Sequence, residues 1–266
     1  MDLSIIIVSN NHENYVKELL KSFKIIESKY SYEIILVDNF SSDNLCEYVK
    51  NEYSNVILLP QRVKRGFSAN NNIGIRKASG RYIMLLNPDT LIIEKDTVDK
   101  LIEYMDENCE VGCVGPMLVN GDDTLQLSVR KFPTISSTIY RRTPLRKLFK
   151  NNKANDRFLM ANEDHSITKA VDWMLGAALV LRRDVIEQLG GLDERYFLYC
   201  EDIDLCYNVK RLGYKVVYFP GVLIKHYLQE SSFKKFIDKK TLWHYKSMFK
   251  YILKNKFKYN IDKKYI

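Results

Sequence analysis

Two periodicities divide this chain. Short runs rich in Ile, Val and Leu at residues 3–8, 33–37, 56–59, 82–86 and 111–114 have the length and composition of buried strands. Between the first two runs Tyr15, Leu19, Leu20 and Phe23 recur at helical spacing, and residues 43–53, 68–77 and 96–107 carry similar patterns. Strands alternating with helices predict an α/β fold, a mostly parallel sheet covered on its faces. From Pro116 the alternation breaks. Turn signals at 120–123 precede a basic segment with Arg130, Lys131, Arg141, Arg142, Arg146, Lys147 and Lys150. Order resumes at 171–182, followed by a helix near 184–189 stopped at Gly190 and Gly191, a helix near 201–212, a strand at 215–219 and a run at 222–226. No internal repeat is present. The pattern divides the chain into residues 1–115, 116–230 and a tail, 231–266.

Composition sharpens the last division. Eleven lysines against two aspartates give residues 233–266 a charge of +9, so the net +8 of the whole chain belongs to the tail and the rest is near neutral. Five cysteines form no CxxC pair, which argues for reduced thiols over a zinc site or a disulfide framework. The N-terminus opens directly into a strand-like run with no export signal, and the apolar stretch at 173–181 is too short to span a bilayer. The expected location is cytoplasmic.

In open α/β sheets ligands gather beyond the carboxyl ends of the strands. That rule puts Ser9, Asn10, Asp38, Asn39, the loop from Arg65 to Asn72 and the turn Asn87-Pro88-Asp89 on one rim. Asp38 ends a buried strand, where a carboxylate suits a nucleobase N–H or ribose hydroxyls; it equally suits capping of the next helix. Arg65 and Gly66, with Asn71 just beyond, stand at a helix start whose free N–H groups fit a phosphate or merely a capped surface helix. No GxxxxGK[ST] and no GxGxxG is present, which disfavours ATP-driven and nicotinamide chemistry. Asp89 suits Mg²⁺ or Mn²⁺, or a plain proline turn. Glu201, Asp202 and Asp204 open an amphipathic helix, whose N-terminus favours ionised carboxylates and so a general base, or acids matched to the helix dipole and nothing more. His226 ends a strand-like run as a metal ligand that would favour manganese, or as a structural histidine.

In order and spacing these segments closely resemble family 2 glycosyltransferases. The resemblance rests on Ser4–Asn10, Val37-Asp38-Asn39, Asn70-Asn71-Asn72-Ile73-Gly74, Leu85–Asp89, Gly176-Ala177-Ala178 and Tyr199–Asp204, and within the family it is strongest to the bacterial rhamnosyltransferase-type branch. It implies a GT-A fold, inverting transfer and a divalent metal, Mn²⁺ or Mg²⁺. It assigns residues 1–115 to the nucleotide sugar and 116–230 to the acceptor and catalytic base. Asp38 falls in the base and ribose pocket, Arg65 and the neighbouring amides in the diphosphate region, and Asp89 at the metal. Asp202 becomes the general base, Glu201 a shaper of the pocket, and Trp173 and Gly176 its sugar and acceptor wall. The family's Asp-x-Asp metal motif appears here as Asn87-Pro88-Asp89, leaving one carboxylate.

The implied reaction moves a sugar, rhamnose from dTDP-rhamnose foremost, onto a hydroxyl of a lipid-linked or polysaccharide acceptor in surface-glycan synthesis. A UDP-hexose or UDP-N-acetylhexosamine donor is the alternative. A basic nucleic-acid-binding protein, supported by the lysine–aromatic tail, leaves the polar rim unexplained. At helical spacing that tail makes basic and apolar faces, which fit peripheral attachment to an anionic membrane or packing on the domain. The sequence leaves oligomeric state open.

Overall fold

A computed structural model describes residues 1–134, 153–227 and 239–255. The strands are β1 (Leu3–Ser9), β2 (Tyr32–Asp38), β3 (Val56–Pro60), β4 (Tyr82–Leu86), β5 (Thr90–Ile92), β6 (Val111–Val119), β7 (Leu125–Gln126), β8 (Val129–Arg130), β9 (Lys169–Ala170), β10 (Trp173–Met174), β11 (Ala178–Arg182) and β12 (Lys215–His226). The helices are α1 (Glu13–Ser22), α2 (Leu45–Glu52), α3 (Phe67–Lys77), α4 (Thr97–Glu107), α5 (Lys153–Leu159), α6 (Arg183–Gln188), α7 (Glu201–Arg211) and α8 (Lys239–Asn255).

The main path of the large sheet runs β3-β2-β1-β4-β11-β6-β12-β5. Strands β1 to β4 are mutually parallel, β11 is inserted antiparallel between β4 and β6, and β12 runs parallel to β6. Side chains alternate between the faces, as the two-residue period of a strand requires. Ile6 and Val8 enter a core that includes residues of α6, α7 and α8, whereas Leu3, Ile5 and Ile7 enter another with Val16 and Leu19 of α1, Leu45 of α2 and Leu101 of α4. Both faces being buried explains why β1 reads as an unbroken apolar run. Because β6 passes through residues 115 and 116, the two halves share one sheet.

The strands end where the rim needs them. Ser9 of β1 lies opposite Asp38 of β2, and Ile7 opposite Leu86, the last residue of β4. The runs at 215–219 and 222–226 are one strand with a register break between Phe219 and Leu223, at Pro220-Gly221. Past the break β12 pairs antiparallel with β5, His226 opposite Thr90, so the strand end reaches the residue after Asp89. The segment at 141–150 and most tail lysines lie outside the described residues. Among the described residues no helix is long and apolar enough to cross a membrane.

Candidate active site

A chain of hydrogen bonds joins the expected residues around one rim. The Asn39 N–H donates to the Ser9 carbonyl at 2.7 Å. The Asn39 side chain then grips the Arg65 backbone from both sides, donating to its carbonyl at 3.0 Å and accepting from its N–H at 2.8 Å. One residue past Gly66, the Phe67 N–H donates to the Phe197 carbonyl at 2.7 Å, tying the start of α3 to the segment leading into α7. On α7, the Asp202 carboxylate accepts from the Gly176 N–H at 3.2 Å. The next carbonyl, Ala177, accepts from the Asn87 N–H at 2.8 Å, and the Asp89 carbonyl accepts from the Tyr227 N–H at 2.8 Å. Asp38, Asp89 and Asp202 come from distant parts of the chain, yet each takes part in one of these contacts or lies next to a residue that does.

Asp38 is 3% exposed. One of its oxygens accepts from the Ser41 N–H at 3.1 Å, closing the loop rather than capping α2, whose cap position is Asn44. Its other oxygen, Oδ1, is buried without a partner, as is the hydroxyl of Ser9 beside it. Polar atoms left so are costly, and an incoming donor group would satisfy them. Burial and then the charge of Asp38 push the neighbouring Cys46 thiol up to about 11. Asn10 and Asn39 brace the loops: the Asn10 amide donates to the Asn39 carbonyl at 2.9 Å and accepts from Lys64 at 2.6 Å. The Arg65 side chain is exposed, as is Phe40.

Gly66 also has a packing reason. A Cβ there would stand 2.8 Å from the Phe197 Cα and 3.0 Å from its carbonyl oxygen, so glycine is what lets two backbones touch. Gly176 likewise lies under Asp202, whose Cβ a methyl would meet at 3.3 Å. Asn71 is buried on α3, its amide donating to the Phe67 carbonyl one turn back. Trp173 is 6% exposed, its indole N–H donating to the Lys131 carbonyl at 2.8 Å, and it packs beneath the site near Phe158.

At Glu201 and Asp202 burial acts against the preference of a helix N-terminus for ionised carboxylates. Burial first, then the charge of Asp202, push the Glu201 carboxyl up to about 8. Burial also raises Asp202, against the opposing pull of the Ile203 and Gly176 N–H groups and the Arg130 charge. Tyr199 and Cys200, immediately before the helix, both hold left-handed backbone (φ 70° and 69°), a strained entry that aims the next two side chains. Asp204, the third acid of this turn, belongs elsewhere. It is buried and bonded to Lys254 of α8 at 2.6 Å and to Asn208 at 3.0 Å. A cavity of about 340 Å³ lies behind Glu201, lined by Gly190, Gly191, Asp193, Asp204 and Lys254, and shares only Glu201 with the rim.

Asp89 and His226 form the candidate cation seat. His226 Nε2 lies 3.4 Å from Asp89 Oδ1, with side chains 8% and 14% exposed. Among the described residues no third carboxylate, histidine or cysteine completes a ligand cluster. An oxygen and an imidazole nitrogen fit a divalent cation whose other positions fall to phosphate oxygens and water. Two residues that sequence reasoning did not single out for the site also bear on it. Arg130 adds a small stabilising pull on the Asp202 anion, and Gln126 holds the far side of the His226 ring at 2.7 Å. Arg130 carries no local signal, since pairing with a distant strand brings it in, whereas Gln126 sits on a local hairpin just past the turn signals at 120–123.

A model of glycosyl transferase family 2 matches residues 4–188. The chain is 31% identical over 262 residues to rhamnosyltransferase WbbL of Escherichia coli K12, covering 95% of this chain and 93% of that one. It is 24% identical over 249 residues to the N-acetylglucosaminyl-diphospho-decaprenol L-rhamnosyltransferase of Mycobacterium tuberculosis H37Rv, covering 86% and 77%. Among solved structures it resembles GalNAc-T7 with UDP, GalNAc and Mn²⁺, with a TM-score of 0.62, 18% identity and 85% of this chain covered. It also resembles the mannosyltransferase PcManGT of Pyrobaculum calidifontis with GDP-Man and Mn²⁺, with a TM-score of 0.61, 17% identity and 86% covered. The chain spans 43% and 57% of those two solved chains, and the likeness establishes a shared GT-A fold.

Proposed function

The chain belongs to glycosyl transferase family 2, and from that premise we propose that it transfers rhamnose from dTDP-rhamnose, with inversion, to a hydroxyl of a lipid-linked or polysaccharide acceptor. What carries this function is the convergence of Asp38, Asp89 and Asp202 on one hydrogen-bonded rim at the carboxyl ends of β1, β2 and β4. Residues 1–115 hold the donor and residues 116–230 the acceptor and base. The choice of rhamnose follows the two named relatives.

The unpartnered oxygen of Asp38 receives the nucleobase or ribose, and the exposed guanidinium of Arg65 meets the diphosphate. Asp89 and His226 would hold the Mn²⁺ or Mg²⁺, which supplies charge neutralisation of the diphosphate leaving group when bound. Asp202 takes the proton from the acceptor hydroxyl as that oxygen attacks the anomeric carbon, opposite the departing diphosphate. Its raised pKa makes it a stronger base than an ordinary aspartate. Glu201 keeps its proton near neutrality, so the two neighbouring carboxyls do not both carry charge and Asp202 is the ionised one.

Helix α8 supports the peripheral attachment. Met248, Tyr251 and Asn255 face the domain, while Leu242, Tyr245, Phe249 and Leu253 form an exposed stripe on the opposite side, bordered by Lys246 and Lys250. An apolar stripe edged by cations suits an anionic bilayer surface, where a lipid-linked acceptor resides.

The test is a transfer assay with purified protein, a synthetic lipid-pyrophosphate acceptor and Mn²⁺, offering dTDP-rhamnose, UDP-hexoses and UDP-N-acetylhexosamines separately. Release of dTDP with a product heavier by one deoxyhexose is expected, and turnover from a UDP-sugar alone would replace rhamnose as the donor. Asp202→Asn should reduce transfer by about 10²–10⁴ while donor binding survives. Full turnover in that variant would remove Asp202 from the role.

A further inference from the structure

The tautomer of His226 is decided 100 residues away in sequence. His226 Nδ1 lies 2.7 Å from Gln126 Oε1, and both side chains are buried, so water does not offer the ring a substitute partner. Which nitrogen bears the proton depends on which end of the Gln126 amide faces it, and that follows from a chain of bonds with one permitted direction. Asp122 lies in an exposed turn and as a carboxylate only accepts, so the Thr124 hydroxyl donates to it, at 2.6 Å. That hydroxyl accepts from the Asn120 amide NH₂ at 2.9 Å, which turns Asn120 Oδ1 toward Gln126. Gln126 Nε2 donates to that oxygen at 2.8 Å and also reaches the His226 carbonyl at 3.4 Å. Gln126 Oε1 is therefore the end presented to the ring, and Nδ1 must carry hydrogen.

We infer that Gln126, oriented through Asn120 and Thr124, is a positioning residue that holds His226 as the Nδ1–H tautomer and so presents the Nε2 lone pair beside Asp89 to a divalent cation. This rests on Asp89 and His226 being the cation seat. A neutral histidine protonated at Nε2 would instead donate to Asp89 Oδ1, 3.4 Å away, and consume both ligands in one hydrogen bond. The hairpin formed by β6 and β7, which places Leu118 opposite Gln126, puts the amide in reach of the end of β12 and makes the arrangement part of the sheet. Outer partners of this type fix the ring and typically account for about 10–100-fold in metal affinity.

Imidazole nitrogen shifts of the metal-free protein at pH 8, with the His226 signal assigned by its loss in His226→Gln, should show Nδ1–H; a neutral Nε2–H ring overturns the inference without any Gln126 variant. In Gln126→Leu the ring should switch to Nε2–H. Mn²⁺ affinity in the presence of dTDP, followed by electron paramagnetic resonance, should fall by about 10–100-fold. Binding of dTDP without metal should stay unchanged, and Gln126→Glu, which still accepts from Nδ1–H, should recover much of the metal affinity. Equal Mn²⁺ binding by wild type and Gln126→Leu overturns the inference alone. Failure of the wild type to bind Mn²⁺ with dTDP overturns the metal seat itself, and the inference with it.

Discussion

At the scale of single residues, environment reverses what residue type suggests. Glu201 begins a helix, where a carboxylate is ordinarily favoured as the anion, yet burial and Asp202 push it up to about 8. An unfolded glutamate titrates near 4.3, so between about pH 4.3 and 8 the folded chain holds a proton that the unfolded chain has lost. Stability from this group is complete below that window and falls as pH rises through it. Glu201→Gln removes the dependence. Thermal melts of both proteins from pH 5 to 9 should show the variant gaining on the wild type up to about pH 8 and then running parallel, whereas a constant gap would contradict the buried, protonated carboxyl. Asp204, three residues on, is instead bonded to Lys254 of α8. Neighbouring acids in one helical turn thus differ in their surroundings according to what packs on them.

Between elements, contacts of backbone with backbone set the site. The start of α3 is held to the segment before α7 through Gly66, against which the Phe197 backbone rests. Gly66→Ala forces that contact apart. A cost of about 1–3 kcal/mol is expected from overpacking at a site that cannot yield. Because the same contact positions Arg65 relative to Asp202, donor affinity should weaken as well; unfolding in urea and a dTDP titration read the two effects. Helix α8 is pinned by Lys254, whose ammonium bonds Asp204 at 2.6 Å and Asp193 at 2.8 Å. Lys254→Met leaves Asp204 buried without its cation, which should cost roughly 3 kcal/mol. Hydrogen exchange should then show loss of protection along α8 ahead of the sheet. Unaltered protection would mean that the other contacts of α8, such as Met248, Tyr251 and the Ser247 hydroxyl bonded to the Leu198 carbonyl, suffice to dock the helix.

Across the whole molecule, α8 links the catalytic body to its proposed surroundings. One side of the helix is committed to the domain and the other bears Phe249 and Leu253, 62% and 59% exposed, among lysines. Phe249→Ser with Leu253→Ser leaves the docked side untouched. Sedimentation with vesicles containing anionic lipid should drop several-fold, while turnover on a water-soluble acceptor stays the same; equal sedimentation would detach the stripe from membrane binding. The parallel strands β1 to β4 and helices α1 to α4 were legible in the sequence because local periodicity and burial on both faces write themselves into consecutive residues. The rim was legible for a related reason: the ends of parallel strands lie along one edge wherever such a sheet forms, so Asp38 and Asp89 fall on the same edge with the end of β1 between them. Tertiary structure decided the rest. The antiparallel insertion of β11 and the bulged strand that carries His226 to Asp89 and, alongside β6, to Gln126 are pairings between distant segments. No local pattern encodes them, because their stabilisation comes from partners that meet only in the folded chain. The same holds for the raised carboxyls of Glu201 and Asp202, since burial is a property of what surrounds a residue and is absent from the residue itself.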